Sequence, residues 1–362
     1  MRLAIADLLP VAMAGLGIYK ARPVKPISGI HEDYISLETG RSLRGVLAVS
    51  VILHHLARST SGGTVFHAFS FVGFLCVAVF FFLSGYGLQK AHMRSENYRK
   101  RFLLKRLPQV LLPYLVAIGL FYVLYGLCGE WYSFGKIVDG FVIGDPIVKY
   151  SWYVVCILVF YVVYWLLMVI FKRHFLGMVI GAVVWYAGYV IFCVKMGYGA
   201  YWYNACPLLI VGMLWAYKES AILAAVKKHY ILWCAGAALV FVAGILGKYK
   251  ADALLPLPGI KTVCEALAAI AFVVCVLLFL MKVKIGNKAL AFLGDMSLEL
   301  YLVQGLFIVG LRSSLAYIEN ETVFILAALF GSLALAALLH KGLSVVLKAY
   351  RRRIDQIGTK ER

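Results

Sequence analysis

The chain has 362 residues, of which 63% are hydrophobic and 15% are charged, and its mean hydropathy is +0.88. A soluble protein of this length needs a larger charged surface, and a membrane β-barrel shows alternating strands of about ten residues instead of continuous apolar runs. Both classes are excluded, and the sequence predicts an all-α, polytopic transmembrane helical bundle.

The net charge of +19 does not indicate a nucleic-acid partner. Basic loops of a membrane protein ordinarily reflect its orientation and its attraction to anionic lipid. The eight cysteines fall mostly within apolar runs and never form a Cys-x-x-Cys pair. We therefore expect neither a disulfide framework nor a metal site.

The chain begins with a short apolar run, residues 3–19, that contains Asp7 and Pro10. A cleavable signal peptide places its positive charge before the apolar run, and only Arg2 precedes this one. The run is therefore either an extra span or an interfacial helix on the membrane surface. Residues 1–36 are predicted to contain this helix and a polar connector.

Ten spans are predicted within residues 37–345, followed by a basic tail at residues 346–362. The predicted spans are residues 43–58, 66–89, 108–128, 151–171, 175–194, 203–217, 230–247, 262–281, 294–311 and 322–345. With the first loop assigned to the cytoplasm and Arg2 left out, 27 of the 36 lysines and arginines fall on the cytoplasmic side and 8 on the outer side. This asymmetry supports the span count and predicts a cytoplasmic C-terminus.

The first span contains Arg44, His54 and His55 inside an apolar helix. Eleven helical steps bring Arg44 and His55 onto one face, about 16 Å apart along the axis, whereas His54 faces a different neighbour. An ionisable residue within a span indicates a functional site, because hydrocarbon otherwise rejects it. The alternative is that Arg44 reaches the headgroups and the histidines cap the outer end of the helix.

Small and aromatic residues mark two other spans. The second span ends in residues 80–88, where Ser84 and two glycines remove bulk from the helix. Close helix packing is the favoured interpretation, although a loosened helix beside a polar site would also admit a ligand. Trp152 and Tyr153 open the fourth span, where an aromatic belt is the default interpretation.

The connector at residues 98–114 is strongly basic. Its cations within eight residues are Arg99, Lys100, Arg101, Lys105 and Arg106. Arg101 and Lys105 share a helical face, and guanidinium and ammonium groups bind phosphate. The alternative is a topology anchor that is attracted to anionic lipid.

Two carboxylates lie in later apolar segments. Glu265 is a candidate partner for a cation on the outer side, although no spacing singles it out. Glu299 lies just inside the ninth span, where a carboxylate needs a cationic or hydrogen-bonding partner. Tyr301 and Gln304 follow on adjacent faces of the same helix.

In this order and spacing, the motifs resemble those of the acyltransferase 3 family of integral-membrane acyltransferases. The resemblance covers roughly residues 37–345. It rests on the Arg-x10-His spacing of Arg44 and His55, on residues 80–88, on the basic helix before Pro108 and Pro113, on Trp152 and Tyr153, and on residues 297–304. Members of this family typically have a ten-helix unit and move acyl groups from cytoplasmic acyl-CoA to sugars or other acceptors of bacterial envelopes.

The resemblance implies roles for individual residues of this chain. His55 is implied as the catalytic histidine and Arg44 as its paired functional arginine. The residues implied for the phosphates of CoA are Arg99, Arg101, Lys105 and Arg106. The residues implied as supporting the site or the substrate are His54, Ser84, Trp152, Tyr153, Glu299, Tyr301 and Gln304.

This chain departs from the family pattern at two positions. The family often has Arg-x-x-Arg before the proline, whereas the cations here are Arg101, Lys105 and Arg106. The family's Tyr-Leu-Val-His in the ninth span is Tyr-Leu-Val-Gln here, so Gln304 can hydrogen-bond but cannot titrate.

The implied function is an acyl-CoA-dependent O-acyltransferase without a metal, with acetyl as the commonest donor group of the family. His55 either acts as general base on an acceptor hydroxyl or takes the acyl group itself. The implied partners are acyl-CoA, membrane lipid and an envelope glycan or lipid-linked acceptor, at the bacterial cytoplasmic membrane. Two other classes stay open: a transporter of a small polar solute or an acylated glycan, and a catalytically silent membrane module.

Overall fold

The computed structural model of the protein describes residues 5–26, 29–61, 64–254 and 259–360. About 80% of it is helical, in twelve α-helices, which confirms the predicted all-α class. The helices are α1 (Leu8–Ile18), α2 (Leu37–Arg58), α3 (Gly73–Arg94), α4 (Phe102–Leu127), α5 (Phe134–Val142), α6 (Trp152–Phe171), α7 (Phe175–Lys195), α8 (Pro207–Leu254), α9 (Ile260–Lys282), α10 (Lys288–Asp295), α11 (Ser297–Gly310) and α12 (Glu321–Lys360). Two short strands, β1 (Arg22–Pro23) and β2 (Val283–Lys284), pair antiparallel.

Seven of the helices in the described ranges are long and apolar enough to cross a membrane, or eight elements if the bent pair α10 and α11 forms one span. One of the seven is α8, which contains two predicted spans and bends at His229, where the backbone leaves helical geometry. α2 is not among the seven, because Arg44, two histidines and other polar residues interrupt its apolar character. The count of ten spans therefore stays a prediction.

Several helices begin or break where the apolar pattern does not mark a boundary. α3 starts at Gly73 and not near residue 66, since His67–Phe71 forms a separate 3-10 helix. α4 continues through Pro108 and Pro113, although proline removes a backbone donor from each turn. The predicted ninth span, residues 294–311, corresponds to α11, and α10 precedes it at an angle of 72°.

Glycines set the closest crossings in the bundle. α2 crosses α10 at Gly45 and Gly294, where a Cβ on either residue would overlap the backbone of the other helix. Gly85 of α3 and Gly212 of α8 form a second crossing of the same kind. Ser84 beside it donates to its own helix, at the carbonyl of Phe80, over 2.9 Å. The structure therefore gives Gly85 a packing role, whereas a Cβ on Gly87 would meet no atom within 4 Å.

The first helix runs antiparallel to α2. At one end, Asp7 accepts a hydrogen bond from the backbone N–H of Phe66 at 2.8 Å, just beyond the end of α2. At the other end, the side chain of Asn287 donates to the carbonyl of Leu16 at 2.8 Å. Eleven residues make a helix about 16 Å long, roughly half the hydrocarbon thickness of a bilayer. α1 is thus too short to cross a membrane as a helix by itself.

Side-chain contacts hold the connector before α2 against α8 and β2. Tyr34 is fully buried, donates to Glu219 at 3.0 Å and accepts from the indole N–H of Trp215 at 2.7 Å. Lys284 hydrogen-bonds to Asp33 and lowers the pKa of that carboxyl group below its usual value. These contacts fix the position from which α2 starts.

Two ends of the bundle matter for function. The histidine end is the end of the bundle at which the last turns of α2 carry His54 and His55. The basic end is the opposite one, where residues 99–106 join α3 to α4.

Candidate active site

α2 places the two residues that the sequence singled out first. Ser36 caps the helix, its Oγ accepting from the backbone N–H of Thr39 at 3.3 Å, and the helix then runs 22 residues without a break. Arg44 and His55 therefore lie on one face, about 16 Å apart along the axis.

His55 lies in the wall of a cavity, where it packs against two other rings. Its ring stacks on Tyr150, with ring centroids 3.9 Å apart and an angle of 24° between the planes, and meets the edge of His54 at 4.8 Å. None of the residues that the structure describes hydrogen-bonds to the His55 imidazole. Within the described part of the chain, the ring is thus held by packing, and both nitrogens keep their hydrogen-bonding capacity.

A strained backbone holds the ring that stacks on His55. Tyr150 has a φ of 67°, in the left-handed region that residues other than glycine seldom adopt. Its carbonyl accepts a hydrogen bond from the hydroxyl of Tyr301 on α11. Tyr301 therefore fixes the conformation that places Tyr150 against His55. The sequence predicts Tyr301 as a site residue, but no sequence motif identifies Tyr150.

His54 lies on a different face of α2 from His55 and contacts different residues, as the helical spacing predicts. Its Nδ1 lies 3.0 Å from the carbonyl of Phe69 and donates to it, in the 3-10 helix that walls the cavity. The other side of the ring packs on Gly73, where a Cβ would overlap the imidazole. His54 thereby joins the wall of the cavity to α2.

The cavity opens at the histidine end and has a volume of about 890 Å³. It is lined by the end of α2, the 3-10 helix that follows, residues 144–152, residues 200–204, the start of α3, and parts of α8, α9 and α11. Of the site residues that the family resemblance implies, it brings together His54, His55, Trp152 and Tyr301. The others lie outside it.

The cavity has a second polar wall that sequence reasoning did not assemble. Glu265 of α9 pairs with Lys248 of α8 at 3.0 Å and accepts from the amide of Asn204 at 3.0 Å. Glu265 was noted only as a candidate partner for a cation, and the other two residues were missed. A lone carboxylate in the apolar run of α9 is the same kind of signal as Arg44, and it was the available clue.

Arg44 lies outside the cavity and makes no hydrogen bond or ion pair with another residue in the described ranges. The ionisable groups near its guanidinium are Asp295, Tyr153 and Arg41. Asp295 is engaged by Arg41, whose Nε donates to it at 2.6 Å. Tyr153 in turn meets the ring of Tyr301 edge to face at 5.6 Å. Two tyrosines therefore lie between Arg44 and the cavity.

The predicted phosphate ligands lie at the basic end, and two of them contact the last turns of α12. Lys105 pairs with Asp355 at 2.6 Å, and Arg101 donates to the backbone carbonyl of Ile354 at 3.1 Å. Arg99 lies in the 3-10 helix before α4, and Arg106 in its first turns. None of these cations lines the histidine-end cavity.

The remaining predicted residues of α11 are buried beside the site. Glu299 pairs with His340 of α12 at 3.0 Å, which supplies the partner that its position requires. Gln304 is fully buried and donates to the carbonyl of Tyr301 at 3.0 Å. These two side chains brace α11, the helix that presents Tyr301.

Comparisons with known proteins bear on the family. A family model described as an acyltransferase domain, Acyl_transf_3, matches residues 41–341 and so covers most of the chain. No curated protein and no solved structure matches. The match confirms the resemblance seen in the motifs and, with the long apolar helices, indicates an integral membrane acyltransferase. The chain belongs to the acyltransferase 3 family.

Proposed function

We propose that this acyltransferase transfers an acyl group, acetyl in the first instance, from acyl-CoA to a hydroxyl group of a membrane-accessible acceptor such as an envelope glycan. The position of His55 supports the proposal most directly. Its imidazole lines a cavity of about 890 Å³, has no hydrogen-bonding partner among the described residues, and shares a helix face with Arg44.

His55 can perform the transfer by two routes. In the direct route, the neutral imidazole accepts the proton of the acceptor hydroxyl as its oxygen attacks the thioester carbonyl. The carbon–sulfur bond breaks, an ester forms, and the CoA thiolate takes up the proton. In the two-step route, the imidazole nitrogen first takes the acyl group and then passes it to the hydroxyl. Both routes yield the same ester and free CoA.

The donor is proposed to enter from the basic end. Guanidinium and ammonium groups suit the phosphates of CoA, and the cations proposed for them are Arg99, Arg101, Lys105 and Arg106. The pantetheine arm then follows α2 past Arg44, which orients the donor or supplies positive charge in a low-dielectric site. Tyr153 and Tyr301 lie on this path, so the thioester has to pass their rings to reach His55.

The proposed orientation follows from the distribution of charge. With ten spans, 27 of the 36 lysines and arginines lie on one side, and the positive-inside rule makes that side cytoplasmic. We place the basic end and the C-terminus in the cytoplasm of a bacterium and the histidine end toward the outside of its cytoplasmic membrane. The acceptor is then an envelope glycan or a lipid-linked precursor.

Substitution of the histidine tests the proposal. Purified His55→Ala protein should release CoA from acetyl-CoA in the presence of acceptor at least 10²-fold more slowly than wild type, because a positioned general base contributes about 10²–10⁴-fold. His67→Ala, an exposed histidine near the same end, is the control and should keep wild-type activity. A folded His55→Ala protein that still transfers acyl groups at the wild-type rate would contradict the assignment.

A further inference from the structure

We propose that Asn204, Lys248 and Glu265 form a subsite that binds a sugar ring of the acceptor. We call these three side chains the acceptor subsite. The inference rests on the proposed function and deepens it, since it names the residues that hold a sugar ring of the proposed glycan acceptor. The acyl-transfer chemistry described above uses none of the three.

The acceptor subsite is polar, buried and incompletely satisfied. Oε1 of Glu265 pairs with Nζ of Lys248 at 3.0 Å, Oε2 accepts from Nδ2 of Asn204 at 3.0 Å, and the carboxylate side chain is 7% exposed. Asn204 is 5% exposed, and its Oδ1 has no hydrogen-bond partner among the residues that the structure describes. A buried acceptor without a donor is costly, and a ligand that donates to it removes that cost. All three residues line the same cavity as His55.

The free hydrogen-bonding capacity of the acceptor subsite matches hydroxyl groups. Glu265 and Asn204 have unused acceptor sites, and Lys248 has unused donors, because each forms fewer bonds than its side chain allows. A hydroxyl group donates and accepts, so neighbouring hydroxyls of a sugar ring meet both needs. Lys248 also balances the charge of Glu265. The subsite as a unit therefore favours a neutral polar ligand over a cation or an anion.

Aromatic side chains give the same cavity flat apolar surfaces. Trp152 and Tyr201 meet edge to face at 5.9 Å, Trp202 lies beside them, and Nζ of Lys248 lies 4.7 Å from the ring centre of Phe74. Ligand sites typically combine apolar and aromatic walls with a few polar groups, in volumes of about 300–1,000 Å³. A sugar ring presents hydroxyls at its edge and C–H groups on its faces, and this wall offers partners for both.

The arrangement gives the acceptor subsite a positioning function. A ring held by Glu265 and Asn204 occupies the cavity onto which His55 faces. One of its hydroxyls can then lie against the imidazole while the others stay bound to the subsite. Substitutions in the subsite should therefore raise the KM for the acceptor and leave the KM for the donor unchanged.

The test uses the full-length purified protein with acetyl-CoA as donor and the methyl glycosides of glucose, galactose and N-acetylglucosamine as acceptor probes. We expect Glu265→Gln to raise the KM for the glycoside about tenfold, which corresponds to about 1.4 kcal/mol, with the KM for acetyl-CoA within about twofold of wild type. The double variant Lys248→Met with Glu265→Gln removes the ion pair in balance, so it should fold, and it should show the same effect. Glu32→Gln, a glutamate paired with Lys227 on the exposed surface, is the matched control and should change neither constant.

Each outcome decides one of the two proposals. An unchanged KM for the glycosides in both folded subsite variants overturns the acceptor subsite and leaves acyl transfer standing. Wild-type protein that releases CoA with glycerol but with none of the glycosides also overturns the subsite. If no acceptor supports CoA release, acyl transfer is contradicted, and the subsite is then judged by binding of the glycosides to wild type, followed through tryptophan fluorescence. Absent binding, or binding that Glu265→Gln does not weaken, overturns it.

Discussion

Tyr301 and Tyr150 determine how the imidazole of His55 is held. Tyr301→Phe removes the hydroxyl that binds the carbonyl of Tyr150, while the ring contact with Tyr153 is kept. We expect kcat to fall about 10- to 100-fold with an unchanged KM for acetyl-CoA, since a small misplacement of a catalytic group has effects of this size. Steady-state rates of CoA release at varied acetyl-CoA concentration give both kcat and this KM.

A second tyrosine provides the control for that experiment. Tyr198 also donates its hydroxyl to a backbone carbonyl, that of Phe141 at 2.7 Å, but it does not line the cavity. Tyr198→Phe should therefore keep wild-type kcat. A Tyr301→Phe protein as active as wild type would show that stacking alone holds Tyr150 in place.

At the scale of single residues, the sequence revealed polar side chains in apolar helices and missed those that come together across helices. Arg44 and His55 could be related because one helix carries both at a fixed spacing. Tyr150 could not be found, because its place depends on a left-handed backbone conformation that leaves no pattern in the sequence. Asn204 and Lys248 reach Glu265 from a loop and from α8, and no spacing along the chain predicts that meeting.

At the scale of elements, the end of α12 contacts the cations proposed to bind CoA. A phosphate group at Lys105 has to displace the carboxylate of Asp355. Asp355→Ala should therefore tighten CoA binding by about two- to fivefold, a modest change because exposed ion pairs are weak. Titration of purified protein with CoA measures the dissociation constant.

The matched control for the tail contact is Asp33→Ala. Asp33 is also an exposed carboxylate paired with a lysine, Lys284, but lies in the connector before α2. The Asp33→Ala substitution should leave the affinity for CoA unchanged. Weaker binding in Asp355→Ala would mean that the tail holds the cations in their binding positions and does not compete with the phosphates.

The apolar pattern of the sequence predicts the long helices but not the short helical segments next to them. The bounds of α6 and α7 lie within about one residue of the predicted spans, because both are continuous apolar runs between charged connectors. α11 lies within the predicted span of residues 294–311, but α10 falls mostly in the predicted connector before it, because a helix of eight residues is too short to appear as a span. The predicted second span starts at residue 66 and so includes the 3-10 helix His67–Phe71, because residues 65–72 are mostly apolar.

At the scale of the whole molecule, the proposed orientation requires the donor to act from one side only. Sealed inside-out membrane vesicles should release CoA from added acetyl-CoA, and protease should remove a tag placed after Arg362 in the same vesicles. Sealed right-side-out vesicles should do neither until they are permeabilised. Release of CoA from intact right-side-out vesicles would reverse the orientation derived from the lysines and arginines.

The anchoring of α1 also bears on how the chain is assembled. One anchor is the hydrogen bond from the backbone N–H of Phe66 to Asp7, and both residues are synthesised early. The other is the hydrogen bond from the side chain of Asn287 to the carbonyl of Leu16, and Asn287 lies 271 residues after Leu16 in the chain. Because a chain is synthesised from the N-terminus onward, α1 emerges before α2 to α12 and acquires its second anchor only when most of the bundle has been translated. Docking of the first helix is therefore completed among the last steps of biosynthesis.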